Sequence, residues 1–235
     1  MKKVYLLLLL VTFVQLGFAQ TEESFINEGV SKMESKSYEA AVESFSKAIE
    51  KNPKSEIAYY KRGNAKLVLN DNLGAVEDFT SVVNLNSSNY KAFYNRGIAY
   101  FNLLDYKKAE EDYTSSIKIN ANEVSPLVNR GIARMNQGEL KGALKDFNNA
   151  LELDNKHVLA YTVRAEAKLK SDDFKGAISD CDRALKFGGE YGLAYLVRGS
   201  SKIAINKYAS GCDDLEKAIR LETKGAQEAY DEFCK

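Results

Sequence analysis

Five arginines recur along this chain at one spacing: Arg62, Arg96, Arg130, Arg164 and Arg198 stand 34 residues apart. Sixteen residues after each comes an aspartate, at Asp78, Asp112, Asp146, Asp180 and Asp214. Two chemistries fit that pattern, a ladder of ion pairs or a row of arginines open to anions. Each guanidinium has its own carboxylate, which favours ion pairing. His157 is the one histidine and falls at a polar break, where it reads as a solvated turn residue. The lack of a second histidine, or of a cysteine beside it, removes the usual nucleophile–base pairs and metal clusters. No glycine-rich phosphate loop follows a strand pattern. The residues point away from an enzyme and require no cofactor and no metal.

The elements that position these residues begin after a leader. Lys2 and Lys3 precede an apolar run from Val4 to Val14 that ends in Gly17-Phe18-Ala19, the pattern of a secretory signal peptide over residues 1–19. That run is shorter than the roughly 20 apolar residues of a membrane-spanning helix, and no later stretch approaches it. The sequence therefore predicts an exported chain, periplasmic or extracellular, without a membrane span. Basic and acidic side chains number 33 each. Removing the two leader lysines leaves a net charge of about −2, which carries no footprint for nucleic acid. Two prolines in 235 residues and evenly spread charge favour helices joined by short connections.

The period of 34 extends beyond the ion pairs. Gly63, Gly97, Gly131 and Gly199 follow four of the arginines, and Ala41, Ala75, Ala109, Ala143 and Ala177, with Gly211, mark a second small-residue register. Each unit holds two segments of about 13 residues with apolar side chains at helical spacing. Six units result, at 22–55, 56–89, 90–123, 124–157, 158–191 and 192–225. A cap at 226–235 carries Ala226, Ala229, Tyr230 and Phe233 as an apolar stripe. Two such helices cannot bury a core alone, so residues 20–235 form one stack of units. A glycine inside a helix costs about 1 kcal/mol relative to alanine. Gly97 repays that by letting paired helices approach closely enough for Tyr113 and Phe93 to pack. Arg96 and Asp112 lie equally far from residue 104, where the hairpin turns, so they should lie level on antiparallel helices. Asp112 and Arg130 are equally level about the next turn. The first unit favours pairing within units, because Glu28 replaces its arginine and Ser44 its aspartate, and both partners are missing together.

An aromatic series, Phe25, Tyr59, Phe93, Leu127, Tyr161 and Tyr195, opens the units, and Phe45, Phe79, Tyr113, Phe147, Cys181 and Leu215 form a second. Pro53 ends the first unit. With the alanine and glycine registers, these positions resemble the tetratricopeptide repeat family. The resemblance implies an all-α, right-handed solenoid of helix-turn-helix units with a C-terminal capping helix. It also implies a concave groove, built from the first helix of every unit, that holds an extended or helical segment of a partner protein. Carried over by position, the groove residues are Tyr60, Tyr94 and Val128, then Asn64, Ile98 and Ile132, then Asn102 and Asn136. Tyr94 should face away from the repeat core. Unit five offers the polar Thr162, Glu166 and Lys170 instead. Some family members clamp a C-terminal carboxylate; Asn64 and Asn95 match that pattern, but Tyr60, Ser125 and Asn129 stand where basic partners are expected. The implied function is a non-catalytic protein–protein interaction module, an adaptor or assembly factor of the cell envelope. The alternatives are a structural subunit or self-oligomer, and a carbohydrate-binding or enzymatic accessory.

Export permits disulfides. Cys181 occupies a core position and reads as a buried free thiol. Cys212 on the last repeat helix and Cys234 in the cap, 22 residues on, can be brought together by antiparallel packing. Cys181 and Cys212 lie on equivalent helices of adjacent units, about 10 Å apart against a Cα limit near 7 Å, which disfavours that bond.

Overall fold

The computed structural model describes residues 21–235, so the expected leader lies outside the described residues. These residues form thirteen helices and no strand. The first helices of the six units are α1 (Glu22–Glu34), α3 (Glu56–Val68), α5 (Tyr90–Asn102), α7 (Val124–Asn136), α9 (Val158–Lys170) and α11 (Gly192–Ala204). Their partners are α2 (Tyr38–Lys51), α4 (Asn72–Leu85), α6 (Tyr106–Ile119), α8 (Leu140–Leu153), α10 (Phe174–Gly188) and α12 (Tyr208–Arg220). A short α13 (Ala226–Phe233) closes the stack on α12 and α11, where the first helix of a further unit would sit.

Periodic side chains start these helices. Thr21, Ser55, Asn89 and His157 each accept a hydrogen bond from the backbone N–H three residues on, which satisfies an otherwise orphaned donor of α1, α3, α5 and α9. His157 is thus a helix cap through Nδ1, at 3.1 Å from the Ala160 nitrogen, and not a free turn residue. Asp71, Asp105 and Asp173 cap α4, α6 and α10 in the same way. Between the helices of each unit one residue takes the left-handed conformation, at Lys36, Asn70, Leu104, Gly138, Asp172 and Asn206. Only Gly138 does so without steric cost.

The core explains the glycine register. A Cβ at Gly97 would stand 2.7 Å from the Tyr113 ring, so the glycine admits an aromatic ring between paired helices. Gly63 and Phe79 repeat the arrangement. In unit five the same registers hold Ala165 and Cys181, the small residue growing by a methyl where the ring has shrunk to a thiol. Successive first helices pack directly in the pairs α1–α3, α3–α5, α7–α9 and α9–α11, whereas successive second helices do not. The first helices therefore lie on the inside of the curve.

The arginines bind inside their own units. Arg62 donates from Nε and Nη2 to the two carboxylate oxygens of Asp78 at 2.9 and 2.7 Å. Arg96–Asp112, Arg130–Asp146, Arg164–Asp180 and Arg198–Asp214 share this forked geometry. Each Nη1 also donates to the preceding unit, to Ser46, Thr80, Thr114, Asn148 and Asp182 in turn. One guanidinium thus ties three helices together. A second cation, Lys66, Arg134, Lys168 or Lys202, bonds the same aspartate in four units. In the first unit Lys32 takes the cation's place, pairing with Glu28 and donating to Ser44.

Candidate functional site

The inner face of α3, α5 and α7 carries a strip of tyrosines and asparagines linked from unit to unit. Asn95 Nδ2 donates to the Tyr60 hydroxyl at 3.1 Å and to Asn64 Oδ1 at 2.8 Å. Asn129 Nδ2 donates to the Tyr94 hydroxyl at 3.1 Å. The ring of Tyr60 packs on Phe79 at 5.8 Å between centroids, and that of Tyr94 on Tyr113 at 5.9 Å. Each tyrosine therefore has one side in the core and its hydroxyl at the groove. Tyr94 does not face away from the repeat core as its position implied, because the glycine beneath Tyr113 draws both rings inward.

Three clefts follow the strip. One of ≈ 140 Å³ lies among Val30, Met33, Glu34, Phe45, Lys61 and Asn64. The second, ≈ 250 Å³, is lined by Tyr60, Tyr90, Lys91, Tyr94, Asn95, Glu123, Ser125 and Pro126. The third, ≈ 130 Å³, lies among Ile98, Phe101, Tyr113, Asn129 and Ile132. Ile98 and Ile132 thus share one apolar cleft. Asn102 and Asn136 are exposed; the first donates to Asn72 Oδ1 at 3.0 Å and the second bonds back to its own helix at Ile132.

Val128, expected to line the groove, is buried instead. It is 1% exposed and belongs to the buried cluster that includes Val163, so it cannot contact a ligand. Tyr60 and Tyr94 face an asparagine of the next unit, while Val128 has Val163 in the corresponding register. The two valines bury each other's surroundings where α7 packs on α9. Thr162 is likewise fully buried, and Glu166 pairs with Lys170 at 3.0 Å, so the strip ends at unit five.

Protonation is unfavourable for acid–base chemistry here. Burial raises the Tyr94 phenol above its ordinary range; hydrogen bonds with Ser125 and Asn129 act against this, and the nearby Glu123 charge adds to it. Burial likewise pushes the Cys181 thiol up to about 12, leaving it a poor nucleophile. Among the described residues no group of three or more His, Cys, Asp or Glu side chains is placed to hold a metal ion. No described helix is long and apolar enough to cross a membrane. Cys212 and Cys234 are joined in a disulfide with Cα atoms 5.8 Å apart.

Sequence reasoning overlooked the polar partners of the arginine Nη1 atoms and the second cations on the aspartates. The Ser46, Thr80, Thr114, Asn148 and Asp182 series carries the same 34-residue spacing and could have been found by it. It also overlooked Tyr90 and Glu123, whose registers hold mixed residue types and so leave no periodic signal.

Family models described as tetratricopeptide repeat match residues 90–123 and 128–192, and one described as TPR repeat matches 31–69. No curated protein matches the chain. Among solved structures, YrrB, titled a TPR protein with an unusual peptide-binding site, is 21% identical. The match covers 81% of this chain and 99% of that one, with a TM-score of 0.65. Pseudomonas aeruginosa pilF is 17% identical over 90% of this chain and 97% of its own, with a TM-score of 0.75. A tetratricopeptide repeat protein from Parabacteroides merdae is 20% identical over 90% and 82%, with a TM-score of 0.67. At these identities the likeness is one of fold.

Proposed function

We propose that this chain, an all-α tetratricopeptide repeat solenoid, is a non-catalytic interaction module that holds a peptide or helix of a partner protein against α3, α5 and α7. One observation carries the reading: aromatic and apolar clefts lie in a row along the inner face, joined by asparagines that can bond a peptide backbone, and the row stops at the Glu166–Lys170 pair. Aromatic anchors in such partly desolvated clefts are where binding energy concentrates, often 2 kcal/mol or more per residue. The peptide-binding site named for YrrB supports the same use of the fold.

An exported adaptor or assembly factor of the cell envelope is the setting this reading favours. The basic-then-apolar leader sequence and the Cys212–Cys234 bond both support an oxidising compartment.

The test is capture of partners from envelope extracts by residues 20–235, compared among variants. Ile98→Ala with Asn64→Ala should reduce capture at least tenfold, corresponding to about 1.4 kcal/mol. Lys118→Glu on the outer helix α6 should leave it unchanged. Capture that follows the α6 change and ignores the groove pair would reject the groove. Tyr94→Phe is the informative tyrosine variant, because Tyr94→Ala would also open a cavity beside Tyr113 at about 3 kcal/mol or more.

A further inference from the structure

Glu123 stands in the capping register of the first helices, yet it does not cap. Thr21, Ser55, Asn89 and His157 bond their helix N-termini, whereas α7 at Glu123 and α11 at Tyr191 have no side-chain cap. The Glu123 carboxylate is turned instead into the ≈ 250 Å³ cleft, where it accepts from the Tyr90 hydroxyl at 3.1 Å and from Asn120 Nδ2 at 3.4 Å. Tyr90 opens α5 in a register that Val124, Val158 and Gly192 hold later in the chain. Units one and two carry Glu22 and Glu56 there, each tied down by asparagines of its own unit. Unit three thus places a ring where units one and two place a carboxylate, and its own last residue, at the N-terminus of α7, supplies the carboxylate instead.

No cation among the described residues pairs with Glu123. Lys91 lines the same cleft but places its ammonium over the Tyr90 ring, 5.8 Å from the centroid, and forms no ion pair there. A tyrosine face of this cleft already attracts a cation. Aromatic faces beside an uncompensated carboxylate suit a cationic group through cation–π and charge-assisted hydrogen bonds. A guanidinium suits them better than an ammonium, because it is planar, weakly hydrated and can bond a carboxylate while stacked on a ring.

We propose that this cleft receives a basic side chain of the bound segment, arginine above lysine, with Glu123 as its counter-ion and Tyr60, Tyr90 and Tyr94 as its walls. This rests on the groove reading above and adds the chemistry of the partner.

The experiment uses residues 20–235 with ¹³C-labelled tyrosine rings and isoleucine methyls, titrated with N-acetyl-arginine amide and with its neutral isostere N-acetyl-citrulline amide. Saturable shifts at Tyr60, Tyr90 and Tyr94 are expected, at least tenfold weaker for citrulline. Glu123→Gln, with an unchanged melting temperature, should weaken arginine binding at least tenfold, and Lys91→Gln should tighten it. Equal response to citrulline, or an unaltered Glu123→Gln titration, would overturn the proposal. A random decapeptide pool on the same sample separates the two readings. If the pool shifts the Ile98 and Ile132 methyls without preferring arginine, the basic-side-chain proposal fails and the groove stands. If the arginine amide shifts the tyrosines while the pool leaves those methyls unmoved, the cleft proposal stands and the groove reading fails.

Discussion

Asp112 is held by Arg96 alone, at 2.7 Å from both Nε and Nη2, because Tyr100 occupies the register where four other units place a second cation. The carboxylate is almost as buried as its counterparts, with 7% of its side chain exposed. Removing Arg96 therefore strands a buried charge. Arg96→Met should cost about 3–5 kcal/mol, and adding Asp112→Leu should recover much of that loss. Arg130→Met should cost less, because Arg134 Nη1 stays at 2.8 Å from Asp146. Urea unfolding of the three variants checks the order; equal losses for Arg96→Met and the double variant would dispose of the idea.

The same difference predicts opposite pH behaviour in two units. Burial, the largest effect, raises the Asp112 carboxyl above its ordinary 3.8 despite Arg96. Burial is also the largest effect at Asp214, but there Arg198 and Lys202 together outweigh it and hold the carboxyl below 3.8. By linkage, the Asp112 contribution is full below about 3.8 and is lost as pH rises through its folded value. The Asp214 contribution is present above 3.8 and is lost as pH falls through its lower folded value. Carboxyl ¹³C titration should place Asp112 above and Asp214 below the free aspartate value, and Asp112→Asn should leave stability rising more steeply with pH than in the wild type.

The cap depends on its covalent tie. α13 spans eight residues and buries only Ala226, too little to hold a helix of that length unaided. The Cys212–Cys234 bond closes a loop of 22 residues, for which chain entropy gives about 3 kcal/mol. Cys234→Ser should lower stability by about that amount and release the α13 amides to fast exchange, while α5 and α6 keep their protection. Unchanged α13 protection in the variant would show that packing alone secures the cap.

Leu104 sits in the left-handed conformation at φ 62° with 70% of its surface exposed, so it bears strain and contributes little packing. Asn70 and Asn206 hold the same position two other times. Leu104→Asn should stabilise the chain by about 1 kcal/mol, since asparagine enters this region at lower cost than leucine. A drop in the urea midpoint would mean that Leu104 packs in solution in a way its exposure does not suggest.

The sequence by itself determined the repeat, the helix pairs and the residues that could form the ladder, because a period of 34 carried by Arg62 through Arg198 admits one spacing of identical hairpins. It also identified Cys212 and Cys234 as the two thiols able to meet. Spacing alone left the partner of each arginine between two level choices, of which Glu28 and Ser44 in the first unit favoured the one within the unit. Only the folded chain decides, because Nε and Nη2 reach the carboxylate of the same unit while Nη1 is left for the unit before. Register alone placed Tyr60, Asn64, Ile98 and Ile132 on the first helices, and the structure sets them at the edges of the clefts. Val128 was misread because its exposure depends on Val163, 35 residues away, and on how closely α7 meets α9. Glu123 and Tyr90 were invisible for the converse reason: their registers hold a mixture of residue types, and the cleft they share is formed only where α5 meets the start of α7. Periodicity describes what every unit has in common, whereas the spacing between two particular helices is set by side chains of both units packing together, and that is settled in three dimensions.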